Sequence, residues 1–248
     1  MATGTAGNTP DYGIDAPGVI RNLFVIGAAL LLFARFVPPR LAHLPLGPVD
    51  IGLSSGALIT GVCLVMEGLL MILYAKRGKF RHRDRMLALH IWSGNEQVLD
   101  VGTGRGLLMI GSAKRLTTGR SIGIDIWRAE DLSGNAAAAT KRNIELEGVA
   151  DRCEVREMHA EAMQFADNTF DVVVSNLCLH NISDSATRAK ACREIVRVLK
   201  PGGQAILSDF KHIAEYKRVF AASGCDVRSI GKNFLVFPPL GVFQVLKP

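Results

Sequence analysis

Two long apolar runs near the amino terminus constrain the architecture of this chain more than any other feature. Residues 19–37 and 51–74 are nearly continuous in Leu, Ile, Val, Phe, Ala and Gly, which explains a hydrophobic share of 48% and a mean hydropathy of +0.22. A helix needs about 20 apolar residues to cross the hydrocarbon core of a bilayer. The sequence therefore predicts two transmembrane helices, although a pair of buried core helices would satisfy the same pattern.

The residues that flank the first run disfavour a cleaved signal peptide. A secretory signal begins with basic residues and ends in small residues at its cleavage site. Residues 1–18 contain Asp11 and Asp15 but no Lys or Arg, and Arg35 lies near the position where a cleavage site would be expected. We interpret residues 1–18 as a polar tail and residues 19–75 as a transmembrane helical hairpin.

Basic residues after the second run predict the orientation of the hairpin. Residues 76–85 contain six Lys or Arg side chains and one acid, Asp84. Such a cluster normally stays in the cytoplasm, so we expect an integral membrane protein whose catalytic domain is cytoplasmic. The cluster fits either a contact with anionic lipid headgroups or a topology signal alone, and its position disfavours nucleic acid as a partner.

The remaining residues, 76–248, have the pattern of a single α/β domain. Short apolar runs alternate with amphipathic stretches, which is typical of a largely parallel sheet with helices on both faces. Strands are predicted at residues 97–101, 121–126, 153–158, 170–175, 205–209, 226–230 and 242–246. Helices are predicted at residues 83–90, 107–116, 136–147, 187–199 and 212–223. The five scattered cysteines predict reduced thiols, with no disulfide and no structural metal.

A glycine-rich turn follows the first predicted strand of this domain. Residues 98–106 read V-L-D-V-G-T-G-R-G, so three glycines separate a buried strand from a helix. Glycines permit a tight turn and a close ligand, and a helix start presents free N–H groups. The G-x-G-x-G spacing and the acid Asp100 differ from the turn that holds a pyrophosphate in dinucleotide-binding folds. An acidic wall suits a ligand with a positive sulfonium and ammonium group.

The next strand ends in a second acid, Asp125, within the run I-G-I-D. A carboxylate at this position can accept hydrogen bonds from both ribose hydroxyls of a bound nucleoside. Trp127, two residues further on, is positioned to cover an adenine ring. The two acids together indicate a nucleoside ligand that also carries positive charge.

These motifs resemble those of class I S-adenosylmethionine-dependent methyltransferases, and most of all the small-molecule and lipid group often called type 11. The resemblance extends over residues 83–247 and also includes D-N-T-F-D-V-V-V-S-N at 167–176 and L-K-P-G-G at 199–203. It implies a Rossmann-like, seven-stranded methyltransferase sheet with a reversed last strand near residues 242–246. It also implies S-adenosylmethionine as the cofactor.

The resemblance assigns roles to individual residues. Asp100, Gly102 and Gly104 would line the methionine and ribose side of the pocket, Asp125 would hold the ribose, and Asn176 the methionine end. With their neighbours, the expected cofactor-binding residues are Asp100, Gly102, Thr103, Gly104, Gly106, Asp125, Ile126, Trp127, His159, Ala160, Glu161 and Asn176.

One position departs from the family pattern. The family often has an acid that binds the adenine amino group, and His159 stands in that place here. Adenine recognition must then come from a backbone group, from His159 itself or from Glu161.

Catalytic candidates lie after the fourth and fifth strands. Methyl transfer is a direct displacement, so a base is needed only if the acceptor must lose a proton. His180 is the candidate base, or else a histidine hydrogen-bonded within its loop. Asp209 would line the acceptor pocket or cap the next helix. Cys178 is disfavoured as a nucleophile because nothing adjacent activates its thiol.

Glu67 lies inside the second apolar run, where an ionised carboxylate is costly unless it is paired, hydrated or protonated. It would either meet a partner on the first helix or help to form a site where a membrane substrate enters.

Membrane anchoring favours an enzyme that methylates a hydrophobic small molecule or a lipid, because tethering raises the local concentration of a membrane substrate. Two alternatives remain: a non-catalytic binding or scaffold protein, and a methyltransferase that acts on a thiol, a metalloid or a protein. Residues 175–178 lack the N-P-P-Y or D-P-P-Y run that clamps a flipped base, which disfavours a nucleic-acid substrate.

Overall fold

The computed structural model describes residues 9–38, 41–46, 49–233 and 239–248. Its amino-terminal part contains two long apolar helices. Helix α1 spans Pro17–Phe36 and helix α2 spans Leu53–Leu73. Between them, strands β1 (His43–Leu46) and β2 (Val49–Gly52) pair in an antiparallel hairpin. Parts of the predicted connection, residues 39–40 and 47–48, lie outside the described residues.

Both helices are long and apolar enough to cross a membrane by length and composition, and their apolar side chains face outward. Only 11% of the most apolar window of each helix is buried. Val25 and Ile59 are 63% and 65% exposed, for example. A core helix would be mostly buried, so this exposure disfavours the core-helix alternative.

Glycines bring α1 and α2 into close contact. A Cβ atom on Gly27 would lie 3.1 Å from the Gly61 carbonyl oxygen, and one on Gly68 would lie 2.9 Å from the Phe24 ring. Small residues at such contacts are typical of helices that pack without a hydrophobic driving force, as they do in lipid.

Helix α2 continues into the α/β domain without a break. A π-helical turn, Tyr74–Gly78, follows it and leads directly into α3, Lys79–Leu87. The lead-in helix was predicted to begin at residue 83. It begins earlier because Lys79 and His82 are buried anchors of this helix, 3% and 2% exposed, rather than parts of an exposed basic linker.

The α/β domain contains a seven-stranded sheet, and this confirms the predicted fold class. The strands are β3 (Gln97–Val101), β4 (Arg120–Asp125), β5 (Cys153–Glu157), β6 (Phe170–Asn176), β7 (Leu199–Asp209), β8 (Asp226–Asn233) and β9 (Leu240–Leu246). Their order is β5-β4-β3-β6-β7-β9-β8, and β9 runs antiparallel to both neighbours, as predicted. The helices are α4 (Leu107–Ala113), α5 (Ala137–Leu146), α6 (Ser185–Val198) and α7 (Ile213–Ala222).

The central strands are apolar on both faces because helices cover both faces of the sheet. In β3, for instance, Val98, Leu99 and Val101 are completely buried. Strand β7 begins six residues earlier than predicted, since Leu199 pairs with Phe170 across an irregular register before the regular ladder starts. The parallel strands β3, β4, β6 and β7 end at one edge of the sheet, where a ligand crevice is expected in such folds.

Candidate active site

A cavity of about 780 Å³ opens at the carboxyl edge of the parallel strands. Its walls come from three parts of the chain: the glycine turn and the loops after the parallel strands, the segment before α1, and the domain-proximal ends of α1 and α2. The first part contains the predicted motif residues. The other two connect that site to the apolar helices.

The glycine turn lies against the neighbouring strand and the loop after β6. The amides of Gly102 and Thr103 both donate to the Ile124 carbonyl, at 2.9 and 3.0 Å. Gly102 has a φ of +75°, and a Cβ atom there would come within 2.3 Å of the Cys178 sulfur. Only glycine fits this position, and the resulting backbone leaves room for a ligand beside Gly102 and Gly104.

Asp100 is 1% exposed and lies beneath this turn. Its Oδ2 accepts hydrogen bonds from the Thr103 hydroxyl and the Met109 amide, both at 2.9 Å. Its Oδ1 has no hydrogen-bond partner in the described part of the chain. Burial raises the pKa of Asp100 to about 7, and the nearby charge of Asp125 contributes to the increase. A cationic ligand would stabilise the ionised form, as expected from the sequence.

Asp125, at the end of β4, holds both the turn and the following loop. One carboxylate oxygen accepts from the Gly104 amide at 2.7 Å and the other from the Trp127 amide at 2.6 Å. Burial raises the pKa of Asp125, and these hydrogen bonds oppose that increase. Each oxygen retains a second acceptor position, which suits the two hydroxyls of a ribose.

Two residues of the predicted set support the site rather than line it. The Trp127 indole N–H donates to the Gly104 carbonyl at 3.2 Å, so this ring is turned towards the glycine turn and not into the cavity. Gly106 precedes α4 with a φ of +88° and packs against Ile110 and Thr140. Thr103, in contrast, both lines the cavity and bonds to Asp100.

Asn176, the last residue of β6, lines the cavity with a buried Oδ1 that has no hydrogen-bond partner among the described residues. The Tyr74 hydroxyl, from the π-turn, neighbours this side chain. Asn176 thus lies where the predicted cofactor site meets the end of the second apolar helix.

The position where the family often has an adenine-binding acid lies on the rim of the cavity and is occupied by His159. His159, whose side chain is 62% exposed, places Nδ1 3.2 Å from Glu161 Oε1. Ile126, Ala160 and both of these side chains line the same region. The arrangement offers a histidine and a carboxylate side by side where the family usually has one acid.

His180 and Asp209 form a pair beside the cavity. His180 Nδ1 lies 2.8 Å from Asp209 Oδ1, and the other carboxylate oxygen accepts from the His180 amide at 3.2 Å. His180 is in a short 3-10 turn after β6, lines the cavity and contacts the Phe210 ring at 4.6 Å between centroids. Asp209 is not among the residues that line this cavity, and the N-cap position of α7 is His212, which makes no side-chain capping hydrogen bond.

Cys178 is unsuited to act as a nucleophile. Its sulfur packs against Gly102, and burial together with nearby carboxylates raises the pKa of the thiol well above its usual range. All five cysteines are free thiols. Within the described ranges, no cluster of three or more His, Cys, Asp or Glu side chains could hold a metal ion.

The segment before α1 was predicted as a tail, but residues 11–16 pack onto the domain. The Tyr12 hydroxyl donates to Glu147 at 2.7 Å, and the buried Lys79 ammonium donates to the Tyr12 carbonyl at 2.7 Å. Lys79 also lies 3.4 Å from Asp15, and burial lowers the pKa of this lysine. Tyr12, Asp15 and Ala16 line the cavity. No local pattern marks these contacts, although an aromatic residue in a polar tail is a weak signal.

The structure adds a stripe on α2 and the π-turn to the site: Glu67, Met71 and Tyr74 line the same cavity. Sequence reasoning named Glu67 alone as a possible part of a substrate site. Met71 and Tyr74 are ordinary apolar-run residues in the sequence, and only the packing of α2 on the domain identifies them.

The residues present fit S-adenosylmethionine. The cradle at Gly102 and Gly104 admits a ligand against the backbone, and Asp100 and Asn176 each present a buried oxygen without a partner in the described structure. The carboxylate of Asp125 has spare acceptor positions. An acidic, glycine-lined pocket with amide oxygen acceptors suits a ligand that carries a sulfonium, an ammonium and a ribose.

Comparison with known proteins agrees with this geometry. Residues 99–207 match the family model described as a methyltransferase domain. A demethylmenaquinone methyltransferase of Lactiplantibacillus plantarum is 36% identical over 132 residues, which is 52% of each chain. The ubiquinone/menaquinone biosynthesis C-methyltransferase UbiE of Hydrogenovibrio crunogenus is 33% identical over 119 residues, 48% of this chain and 43% of the relative. The chain spans about half the length of these curated relatives.

Solved structures show the fold. YcgJ from Bacillus subtilis has a TM-score of 0.56 at 17% identity and covers 66% of this chain and 97% of its own. A SAM-dependent methyltransferase from Aquifex aeolicus scores 0.54 at 20% identity, covering 67% and 89%. The [4+2]-cyclase SpnF scores 0.56 at 15% identity, covering 95% and 99%. Residues 99–207 are therefore similar to a methyltransferase domain, and the solved structures show that the chain has a Rossmann-like methyltransferase fold. These findings support S-adenosylmethionine as the cofactor.

Proposed function

We propose that this chain is an S-adenosylmethionine-dependent methyltransferase, anchored in a membrane by α1 and α2, that methylates a hydrophobic small molecule or a lipid from the cytoplasmic side. The observation that carries this proposal is the single cavity shared by the glycine turn and the two apolar helices. A soluble substrate would need no such connection.

The cofactor, when bound, supplies an activated methyl group on a sulfonium. In this chain, the glycine turn would receive it, Asp125 would accept from its ribose hydroxyls, and Asp100 and Asn176 would hold its polar methionine end. The segment before α1 lines one side of the cavity and would limit access by water there. Alignment and exclusion of water are the main contributions that a protein makes to a direct displacement.

His180 would act as the base where the acceptor must lose a proton. His180 Nδ1 lies 2.8 Å from Asp209 Oδ1 but is not aligned for a hydrogen bond, so the ring would have to turn for Nδ1–H to reach this carboxylate. In that tautomer the neutral ring would have Nε2 available to take the proton. Asp209 would fix the tautomer and stabilise the charged imidazole. It is thus a positioning residue for His180.

Three observations support the membrane and the hydrophobic substrate. The apolar faces of α1 and α2 are exposed, and insertion into a membrane would bury them. Lys76, Arg77 and Arg81 are exposed directly after α2, where they would meet anionic headgroups. Two relatives are named for menaquinone or ubiquinone chemistry, and quinones with long side chains dissolve in membranes.

Label transfer tests the proposal. Membranes that contain the wild-type chain, or a variant with Asp100→Ala and Gly104→Ala, would receive methyl-labelled S-adenosylmethionine. We expect label in the lipid extract with the wild type and at least a tenfold loss with the variant. Label that appears only in protein or in volatile products would contradict the lipid substrate and favour a protein, thiol or metalloid acceptor.

A binding protein without methyl transfer is the second candidate. The observation in its favour is His159, which stands where the family usually has the acid that binds the adenine amino group. Wild-type protein that binds S-adenosylmethionine but transfers no label to any fraction would favour this candidate.

A further inference from the structure

We propose that Glu67, Met71 and Tyr74 form the binding site for the methyl acceptor, an amphipathic molecule that enters sideways from the bilayer. Its apolar body would lie along Met71, and a hydrogen-bond-donating group, a hydroxyl or an ammonium, would bind the Glu67 carboxylate. This inference rests on the proposed function, since it assigns an acceptor to the same cavity.

The three side chains form one continuous stripe. Residues spaced i, i+4 and i+7 lie on the same face of a helix. Met71 and Tyr74 are 8% and 5% exposed on this face, whereas Met66 and Leu70 on other faces are 51% and 43% exposed. Helix α2 therefore has a face turned to the cavity and a face turned to its surroundings.

The near end of the stripe adjoins the cofactor motif. Tyr74 neighbours Asn176, and both line the cavity together with His180. The atom that receives the methyl group would lie here, within reach of the candidate base. Glu67 is two helical turns away, about 10 Å along the axis, which sets the distance between the reacting atom and the second polar group of the acceptor.

Glu67 has no hydrogen-bond or ion-pair partner in the described part of the chain. It lies on an apolar helix, where an unpaired carboxylate is unfavourable. A donor group on a ligand would satisfy it. Two ionisable residues of the same cavity, Asp15 and Lys79, already contact each other, and Lys79 also donates to backbone carbonyls of the segment before α1.

A carboxylate at Glu67 also disfavours one class of acceptor. A phosphate group beside this carboxylate would add a second negative charge in an apolar setting. The stripe therefore selects amphipathic molecules whose second polar group is neutral or cationic, and it disfavours an anionic phospholipid headgroup at that position.

A pair of matched substitutions on α2 tests the site. Met71→Trp fills the cavity-facing side, and Met66→Trp places the same ring on the outward face as a control. We expect Met71→Trp to lower label transfer into the lipid extract at least tenfold while Met66→Trp stays within twofold of the wild type. Binding of S-adenosylmethionine should stay within twofold in both variants. Equal activities of the two variants would overturn the proposal.

Two substitutions at Glu67 identify the donor group. Glu67→Leu removes every acceptor, and we expect about ten times more lipid extract to be needed for the half-maximal rate. Glu67→Gln retains an acceptor for a hydroxyl but cannot neutralise an ammonium. A small effect of Gln indicates a hydroxyl, and an effect equal to that of Leu indicates an ammonium. No effect of Leu would overturn the role of Glu67.

A binding measurement separates this inference from the proposed activity. A photo-crosslinking amino acid at position 71, or at position 66 as a control, would be activated in membranes of the expressing cells. An adduct with a small amphipathic molecule at position 71 alone supports the acceptor site even if the wild type transfers no label, in which case only the activity fails. The same adducts at both positions would show contact with bulk lipid and overturn the site.

Discussion

Glycine has different tasks in the cofactor turn and in the helical hairpin. In the turn, Gly102 has a left-handed backbone, and a side chain would strike Cys178. In the hairpin, Gly27 and Gly61 have ordinary helical backbones, and their value is the close approach of α1 and α2. The turn requires glycine because of its left-handed backbone, and the helical hairpin requires glycine because α1 and α2 approach each other closely. A substitution should therefore damage ligand binding in one region and helix packing in the other.

The two regions also differ in how polar groups are satisfied. Around the turn, the oxygens of Asp125 and the Oδ2 of Asp100 have specific partners, and the residues that carry the unmatched oxygens, Asp100 and Asn176, line the cavity. The hairpin offers few polar side chains, and Glu67 stands out because it also faces the cavity. Unsatisfied polar groups from both regions thus converge on one site, which is where a ligand would satisfy them.

Gly102→Ala should have the largest effect of these substitutions. It tests most directly whether glycine has a different role in the cofactor turn than in the helical hairpin. The added Cβ would lie 2.3 Å from the Cys178 sulfur, so the turn must move. We expect at least a hundredfold loss of affinity for S-adenosylmethionine by titration calorimetry. Gly148→Ala is the control, because its φ is +67° but nothing lies within 4 Å. It should cost about 1 kcal/mol of stability and leave the affinity unchanged.

His180→Ala should come next, with about a hundredfold lower turnover if proton removal from the acceptor limits the rate. Asp209→Asn should lose about tenfold through misplacement of the ring, and both variants should bind S-adenosylmethionine normally. The measurement is single-turnover label transfer with His212→Ala as the control. Unchanged turnover in His180→Ala would show that His180 is not a base in this reaction, so that alignment of the reactants would account for catalysis.

Gly61→Leu should separate the helices without harming the turn. Its side chain would meet the Gly27 carbonyl and Leu31, where a Cβ atom already lies at 3.0 Å. We expect a loss of about 1–2 kcal/mol in helix-pair stability, measured by thermal unfolding in micelles, with cofactor affinity within twofold. Gly56→Leu, which meets nothing within 4 Å, should be neutral. A large loss of cofactor affinity in Gly61→Leu would show that the two regions are not independent.

The pH dependence of cofactor binding should show the smallest effect. Because burial raises the pKa of Asp100 to about 7, the folded protein without ligand retains a proton that the unfolded chain loses near pH 4. Its stability should therefore fall as pH rises from about 4 to 7. Affinity for the cationic cofactor should rise over the upper part of that range, by at most about tenfold per pH unit. Asp100→Asn should flatten both profiles, and an unchanged slope in that variant would exclude Asp100 as the cause.

Local motifs allowed the sheet and most of the cofactor site to be predicted. Strands such as β3 are buried on both faces and therefore read as apolar runs, and the glycine turn with Asp100 and Asp125 lies within short segments. The β1–β2 hairpin was not predicted because its strands have only four residues each. The early start of α3 was missed because Lys79 reads as an exposed cation in the sequence.

Contacts between residues that are far apart in the sequence could not be predicted from local motifs. Tyr12 meets Glu147 across 135 residues of sequence, and no periodicity reveals such a contact. Trp127 follows the right acid, but its indole N–H finds the Gly104 carbonyl instead of facing the cavity. His180 and Asp209 were both named, yet their pairing depends on two loops that meet only in the folded sheet.

The unbroken course of α2, the π-turn and α3 joins the helical hairpin to the α/β domain through one continuous helical segment. A π-helical turn contains one residue more than the α-helical turn it replaces. That residue sets the rotational phase between the hairpin and the domain, since each residue turns a helix by about 100°. Loss of one residue from Tyr74–Gly78 would rotate the mouth of the cavity about the helix axis, away from the stripe at Met71. The rotational orientation of the domain relative to the helical hairpin is thus set by five residues.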